Sequence, residues 1–307
     1  MNEPAKHSLT LAGLFVALTG AILFSTKAII VKKAFAATQV DAVSLLTLRM
    51  AFSLPFYLGA AYFISRHTGN VKMTKRQWCL TFLVGITGYY LSSLFDFLGL
   101  QYISAGLERL ILFLYPTFAV LLNYFIFKQA IQKNQWIALV LTYLGIGLAL
   151  SGEIRINAAD EKLLWGSFLV FVCAVTYSFY IVGSGKIIPS IGAAKFTAYA
   201  MLSATIGVFA HFLIKGNYTQ LAQIDSLLTY GFLLAVLATV VPSFLISNAM
   251  KRIGSSNVAI ISSIGPVSTI LQAHFFLGEK IFPEQIAGTV LVILGVLLLG
   301  WKQNETG

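Results

Sequence analysis

The chain has 307 residues, 58% of them hydrophobic and only 10% charged, with a mean hydropathy of +0.83. This composition excludes a soluble globular domain and places the chain in a membrane. The formal net charge of +10 does not mark a nucleic-acid binder, because most of the lysines and arginines fall in short breaks between apolar runs and report orientation instead.

Ten apolar runs follow one another, at residues 9 to 31, 42 to 65, 77 to 98, 105 to 127, 135 to 151, 163 to 184, 193 to 214, 227 to 248, 255 to 277 and 284 to 301. A bilayer is crossed by about 20 helical residues, with a range of roughly 17 to 25. Lipid offers no partner to a bare N–H or C=O, so each run is predicted to be a helix that satisfies its own backbone. The expected class is an all-α integral membrane protein of ten transmembrane helices.

The first run carries Lys27 near its end and is followed by Lys32, Lys33 and Ala34-Phe35-Ala36. A small-residue triplet after an apolar run resembles a signal-peptide cleavage site, but the run is too long for a signal core and two lysines intervene. The second run carries Arg49 early, and the third holds Cys79 and ends near Asp96. The fourth opens on Ala-Gly-Leu-Glu-Arg, with Glu108 and Arg109 at its mouth, and holds Pro116. The 18 residues from Leu110 to Phe127 span about 27 Å at 1.5 Å each, nearly enough without the pair. Glu108 therefore also suits a helix start, where the dipole favours an anion, whereas Arg109 gains nothing there. The sixth run holds Cys173 and Tyr177, the seventh His211, and the ninth Pro266 and His274. Neither cysteine has a Cys or His at ligand spacing, so no metal, disulfide or cofactor is implied.

With a cytoplasmic N-terminus, Lys6, Arg66, Lys72, Lys75, Arg76, Lys128, Lys133, Lys186, Lys195, Lys251, Arg252 and Lys302 fall inside, against Lys32, Lys33, Arg155, Lys162, Lys215 and Lys280 outside. The positive-inside rule then puts both termini in the cytoplasm, in agreement with an even number of spans. The expected location is the cell (inner) membrane.

A shift of 150 residues pairs Pro116 with Pro266, Phe125 with Phe275, Ile131 with Ile281, Gln135 with Gln285 and Gly145 with Gly295. A slightly larger shift pairs Ala12-Gly13 with Trp165-Gly166 and Phe24-Ser25 with Tyr177-Ser178. The chain thus divides into two five-helix halves, 1–152 and 153–307. Five is odd, so the second half enters from the opposite face, the inverted repeat that suits alternating access. Pro116 and Pro266 each remove a backbone donor and crowd the carbonyl one turn earlier, so a kink is expected at both, with either a packing or a hinge role. Pro55 and Pro242 have no matching partner and are assigned to packing.

Phe24-Ser25-Thr26-Lys27, Gly99-Leu100-Gln101-Tyr102 and Gly278-Glu279-Lys280, together with the doubled five-helix unit, resemble the EamA family of the drug/metabolite transporter superfamily over nearly the whole chain. The chain departs from it at Lys128-Gln129, where the family commonly shows Gly-Glu. The resemblance implies a ten-helix secondary transporter that moves small metabolites, such as amino acids, commonly outward and through a cavity between the repeats. It leaves open the cargo, the direction, proton coupling and a homodimer.

Lys27, Arg49, Asp96, Glu108, Arg109, His211 and His274 all fall in the outer half of their spans. A charge at mid-bilayer costs about 2.5 to 3.5 kcal/mol on the insertion scale, so these charges are expected to pair, face water or do work. The expectation is a polar vestibule in which Lys27 meets Asp96 or Glu108, with a formal sum of +1 that also suits a carboxylate-bearing solute. A salt bridge that only holds the fold is the competing reading. Asp96, Glu108 and His274 are the candidate proton carriers, and Tyr90, Tyr115 and Tyr177 the candidate cavity aromatics. Gly145 with Ala149, Ser203 with Gly207 and Ala17 with Ala21 are expected to let helices approach closely. A membrane enzyme is the first alternative, but His-Glu-x-x-His and Gly-x-Ser-x-Gly are absent and Gly183-Ser184-Gly185-Lys186 is too short for a phosphate loop. A membrane scaffold is the second, and the loops are too short to carry interaction modules.

Overall fold

The computed structural model describes residues 10–67, 71–128, 130–156, 162–218, 225–253, 258 and 261–301. Lys6, Gln129 and Lys302 lie outside the described residues. All regular structure among the described residues is helical: α1 Leu11–Thr38, α2 Ala42–Arg66, α3 Lys75–Gly85, α4 Ser92–Leu100, α5 Ala105–Leu112, α6 Tyr115–Phe127, α7 Lys133–Ile156, α8 Lys162–Ile191, α9 Ala193–Lys215, α10 Asp225–Ala235, α11 Val241–Ile253, α12 Gly265–Leu277 and α13 Pro283–Trp301. Read through their irregular turns, eight helical segments among the described residues are long and apolar enough to cross a membrane, and a shorter apolar helix covers Pro283–Leu298.

Short polar side chains start these helices by taking up backbone donors that the first turn leaves free. Thr10 accepts from the Gly13 amide, Asp41 from Ser44 and Ser104 from Leu107, while Thr74 and Gln77 form a reciprocal capping box. The first helix runs past its expected end at residue 31 and keeps Lys32 and Lys33 within it. Both find partners there: Lys32 Nζ donates to the Ile103 carbonyl at 2.7 Å, and Lys33 lies 5.4 Å from the centre of the Phe276 ring.

The irregularities recur at the sequence repeat. A π-helical turn at Ile86–Leu91 joins α3 to α4, and another at Val236–Val240 joins α10 to α11. Helical pairing is interrupted at 113–114 and again at 263–264, and the next helix carries Pro116 or Pro266 in its first turn. The kinks expected at these prolines are therefore breaks that lie just before them. Each proline supplies no N–H to the carbonyl four residues earlier, that of Leu112 or Ser262, and its ring crowds that group. Left-handed residues end the two helices at equivalent places, Lys128 with φ 52° and Gly278 with φ 69°. Pro55, by contrast, sits inside a continuous α2.

Helix contacts are reciprocal as well. α7 packs along α13, α1 lies against α11 and α12, and α8 lies against α4, α5 and α6. A Cβ added at Gly145 would lie 2.6 Å from the Gly288 carbonyl oxygen, and one added at Gly295 would lie 2.9 Å from the Ala138 carbonyl oxygen. The lower number on α7 thus meets the higher on α13, and the two helices cross antiparallel with backbones in contact. Gly13 meets Ile253 on one side of the molecule, and Gly166 meets Ile103 on the other.

Candidate functional site

The capped start of α5 and the C-terminal part of α4 bring Glu108 and Asp96 to Lys27 on α1. Lys27 Nζ stands 2.6 Å from Asp96 Oδ2 and 3.4 Å from Glu108 Oε1. Asp96 is 1% exposed and Glu108 is fully buried. The contact to Glu108 is a hydrogen bond. The shorter contact, to Asp96, is an ion pair, and Asp96 and Glu108 lie close enough to share a hydrogen bond when one of them is protonated. Two carboxylates around one ammonium leave this group with either one excess negative charge or one bound proton.

The two arginines are held differently, and neither forms an ion pair among the described residues. Arg49 on α2 is buried; its Nε donates to Thr239 Oγ1 at 2.8 Å and its Nη1 to Ser93 Oγ at 3.2 Å, with the Phe97 ring centre 5.6 Å away. Thr239 belongs to the second π turn and turns its own hydroxyl onto the Leu234 carbonyl, five residues back. Arg109 lies 5.6 Å from the centre of the Phe113 ring, and its buried Nε has no acceptor among the described residues. Its Nη2 approaches the backbone of Gly265, where an added Cβ would lie 2.6 Å away. The glycine is what admits the guanidinium there.

These groups border a cavity of about 710 Å³ lined by Lys27, Arg49, Asp96 and Arg109 together with Phe24, Tyr89, Phe113, Tyr115, Pro116 and Tyr177. Tyr115 and Tyr177 meet edge to face at 5.0 Å, and Tyr177 stacks on Tyr180 at 5.4 Å. The lining continues to Asn123, Gln135 and Lys186, toward the ends of α6 and α8 and the start of α7. At the opposite end, Glu279 accepts from the Ala105 amide at 2.9 Å and the Gly106 amide at 3.3 Å, tying the turn after α12 to the start of α5.

Three candidates sit elsewhere than the cavity wall. His274 is exposed, and its Nδ1 lies 2.9 Å from the Glu279 carbonyl oxygen. Tyr90 is joined to His211 at 3.0 Å. Glu108 stands behind the wall and reaches the cavity through Lys27. Phe113, Ser93, Thr239 and Gly265 complete the site without having been singled out in the sequence.

A bundle of membrane-length helices around a charged and aromatic cavity defines a multi-pass membrane protein built to admit a small molecule. The chain belongs to the EamA-like transporter family, whose profile matches residues 11–151 and again 164–301. It is 29% identical to the uncharacterized transporter YcbK of Bacillus subtilis, over all of this chain and 98% of that one. It is 24% identical to a probable amino-acid metabolite efflux pump of Salmonella typhimurium, over 66% of this chain and 70% of that one. A crystal structure with 16% identity has the same fold at a TM-score of 0.62, covering 94% of this chain and 95% of its own.

Proposed function

We propose that the protein is a secondary transporter of the cell membrane that exports small metabolites, such as amino acids, by alternating access of one central cavity. Ten transmembrane helices form two inverted units, 1–152 and 153–307, with both termini in the cytoplasm. The observation that carries this reading is the cavity itself: it holds buried charges where lipid would expel them, and its walls come from both halves. The antiparallel crossing of α7 and α13, which are equivalent helices of the two halves, supports the inversion.

Alternating access requires one end of the cavity to be closed while the other is open. The lining reaches Asn123, Gln135 and Lys186 on the face assigned to the cytoplasm. The outer end is tied by Glu279 to α5 and by Lys32 to the Ile103 carbonyl. Asp96 and Glu108, sharing Lys27, are the proton carriers of this reading, one proton being exchanged as the group alternates between its two charge states. His274, exposed and outside the cavity, is not needed for that step.

The test is accumulation of labelled metabolites by purified protein in sealed vesicles, with and without a pH gradient. Accumulation that falls when the gradient is collapsed supports coupled transport. Accumulation that persists removes the coupling and leaves exchange, and no accumulation of any solute defeats the transporter reading.

A further inference from the structure

We infer that Arg109 is the seat of a single carboxylate on the transported molecule, and that the ring cluster beside it receives an apolar body; the inference rests on the transporter reading above. The argument begins with what is left unsatisfied. Lys27 is engaged by Asp96 and Glu108, and Arg49 spends donors on Thr239 and Ser93. Arg109 lines the cavity with no carboxylate partner and with a buried Nε that donates to nothing among the described residues. A cation held against Phe113 and Gly265 in this way is completed by an anion arriving in the cavity.

The geometry and the charge select a carboxylate. A guanidinium is a planar fork whose paired N–H groups match the two oxygens of a carboxylate. With Asp96 and Glu108 ionised, the five charged groups sum to three positive and two negative, so one bound monoanion neutralises the cluster. A phosphate would need several free donors where one guanidinium has them. Phe113 and Tyr115, whose ring centres lie 5.9 Å apart, and Tyr177 beyond them provide aromatic faces and edges beside the guanidinium. A cavity of about 710 Å³ admits a solute of amino-acid to dipeptide size.

The experiment compares probes that differ in one end only, read by thermal stability of the purified full-length protein in detergent. L-phenylalanine and 3-phenylpropionate carry the carboxylate, L-phenylalaninamide and phenethylamine lack it, and phenyl phosphate replaces it. Both carboxylates are expected to raise the melting temperature, and the amide and amine are not. Arg109→Gln is expected to weaken carboxylate binding by roughly ten- to a hundredfold, the range for hydrogen bonds to a charged group. Arg109→Lys is expected to keep part of the affinity, and Gly265→Ala, which crowds the guanidinium while leaving every charge in place, to weaken it. Should Arg109→Gln fail to fold, the comparison of L-phenylalanine with its amide on the unaltered protein decides alone.

Equal stabilisation by acid and amide, stronger stabilisation by phenyl phosphate, or no shift with either carboxylate overturns the inference. In each of those cases, accumulation of other solutes by the same protein in vesicles leaves the transporter reading standing. Only failure to accumulate any solute removes both.

Discussion

At the scale of single residues, the account turns on which charges are satisfied and which are waiting. Asp96 and Glu108 are buried and converge on one ammonium. Lys27→Met would leave two buried carboxylates without their cation, and breaking a buried pair in this way costs about 3 to 5 kcal/mol. The expected result is a clear drop in melting temperature for the single variant, largely restored when Asp96→Asn and Glu108→Gln are added to it. Transport separates structure from function in the same series. If the three single variants, Lys27→Met, Asp96→Asn and Glu108→Gln, all transport normally at normal protein levels, the cluster is architecture alone. The pairing was legible in the sequence because lipid makes isolated charges expensive, so three outer-half charges had few ways to be satisfied. The role of Gly265 was not, since it depends on a missing side chain on one helix meeting Arg109 of another. His274 shows a related limit: position along a span gives depth but not azimuth, and its side chain is exposed and absent from the cavity lining.

At the scale of elements, the two halves share their irregularities as well as their helices. Prolines 150 residues apart were visible in the sequence, and so was a disturbance near each of them. The π turns were not, because an extra residue in a helical turn is sustained by what packs on it: a Cβ at Gly88 would lie 2.2 Å from that of Tyr180, and Thr239 of the second π turn receives Arg49. Gly145 and Gly288 bring the α7 and α13 backbones together. Gly288→Leu is expected to force that crossing apart and lower stability by about 1 to 3 kcal/mol, the usual cost of overpacking, measured as the melting temperature in detergent. Gly147 has no neighbour within 4 Å, and Gly147→Leu serves as the control that leaves stability unchanged. The outer tie offers a different test. Glu279→Ala removes the acceptor for the Ala105 and Gly106 amides and is expected to raise labelling, from outside, of a cysteine placed in the cavity; unchanged labelling would show that the tie is not a gate.

At the scale of the whole molecule, the proposal is that five helices and then five more enclose one cavity whose two ends are never open together. Composition alone made the membrane setting and the helical class plain. The match of Pro116 with Pro266 made the paired helix breaks legible, whereas the ties made by Glu279 and Lys32 depend on contacts between distant segments that no local pattern encodes. The most direct test replaces Phe24, which lines the cavity, with cysteine in a protein lacking Cys79 and Cys173, and applies a membrane-impermeant thiol reagent to sealed vesicles of each orientation. The account predicts labelling from the cytoplasmic face, reduced from that face and gained from the outside when transported solute is supplied. Labelling from both faces at once, or from neither under any condition, would contradict it.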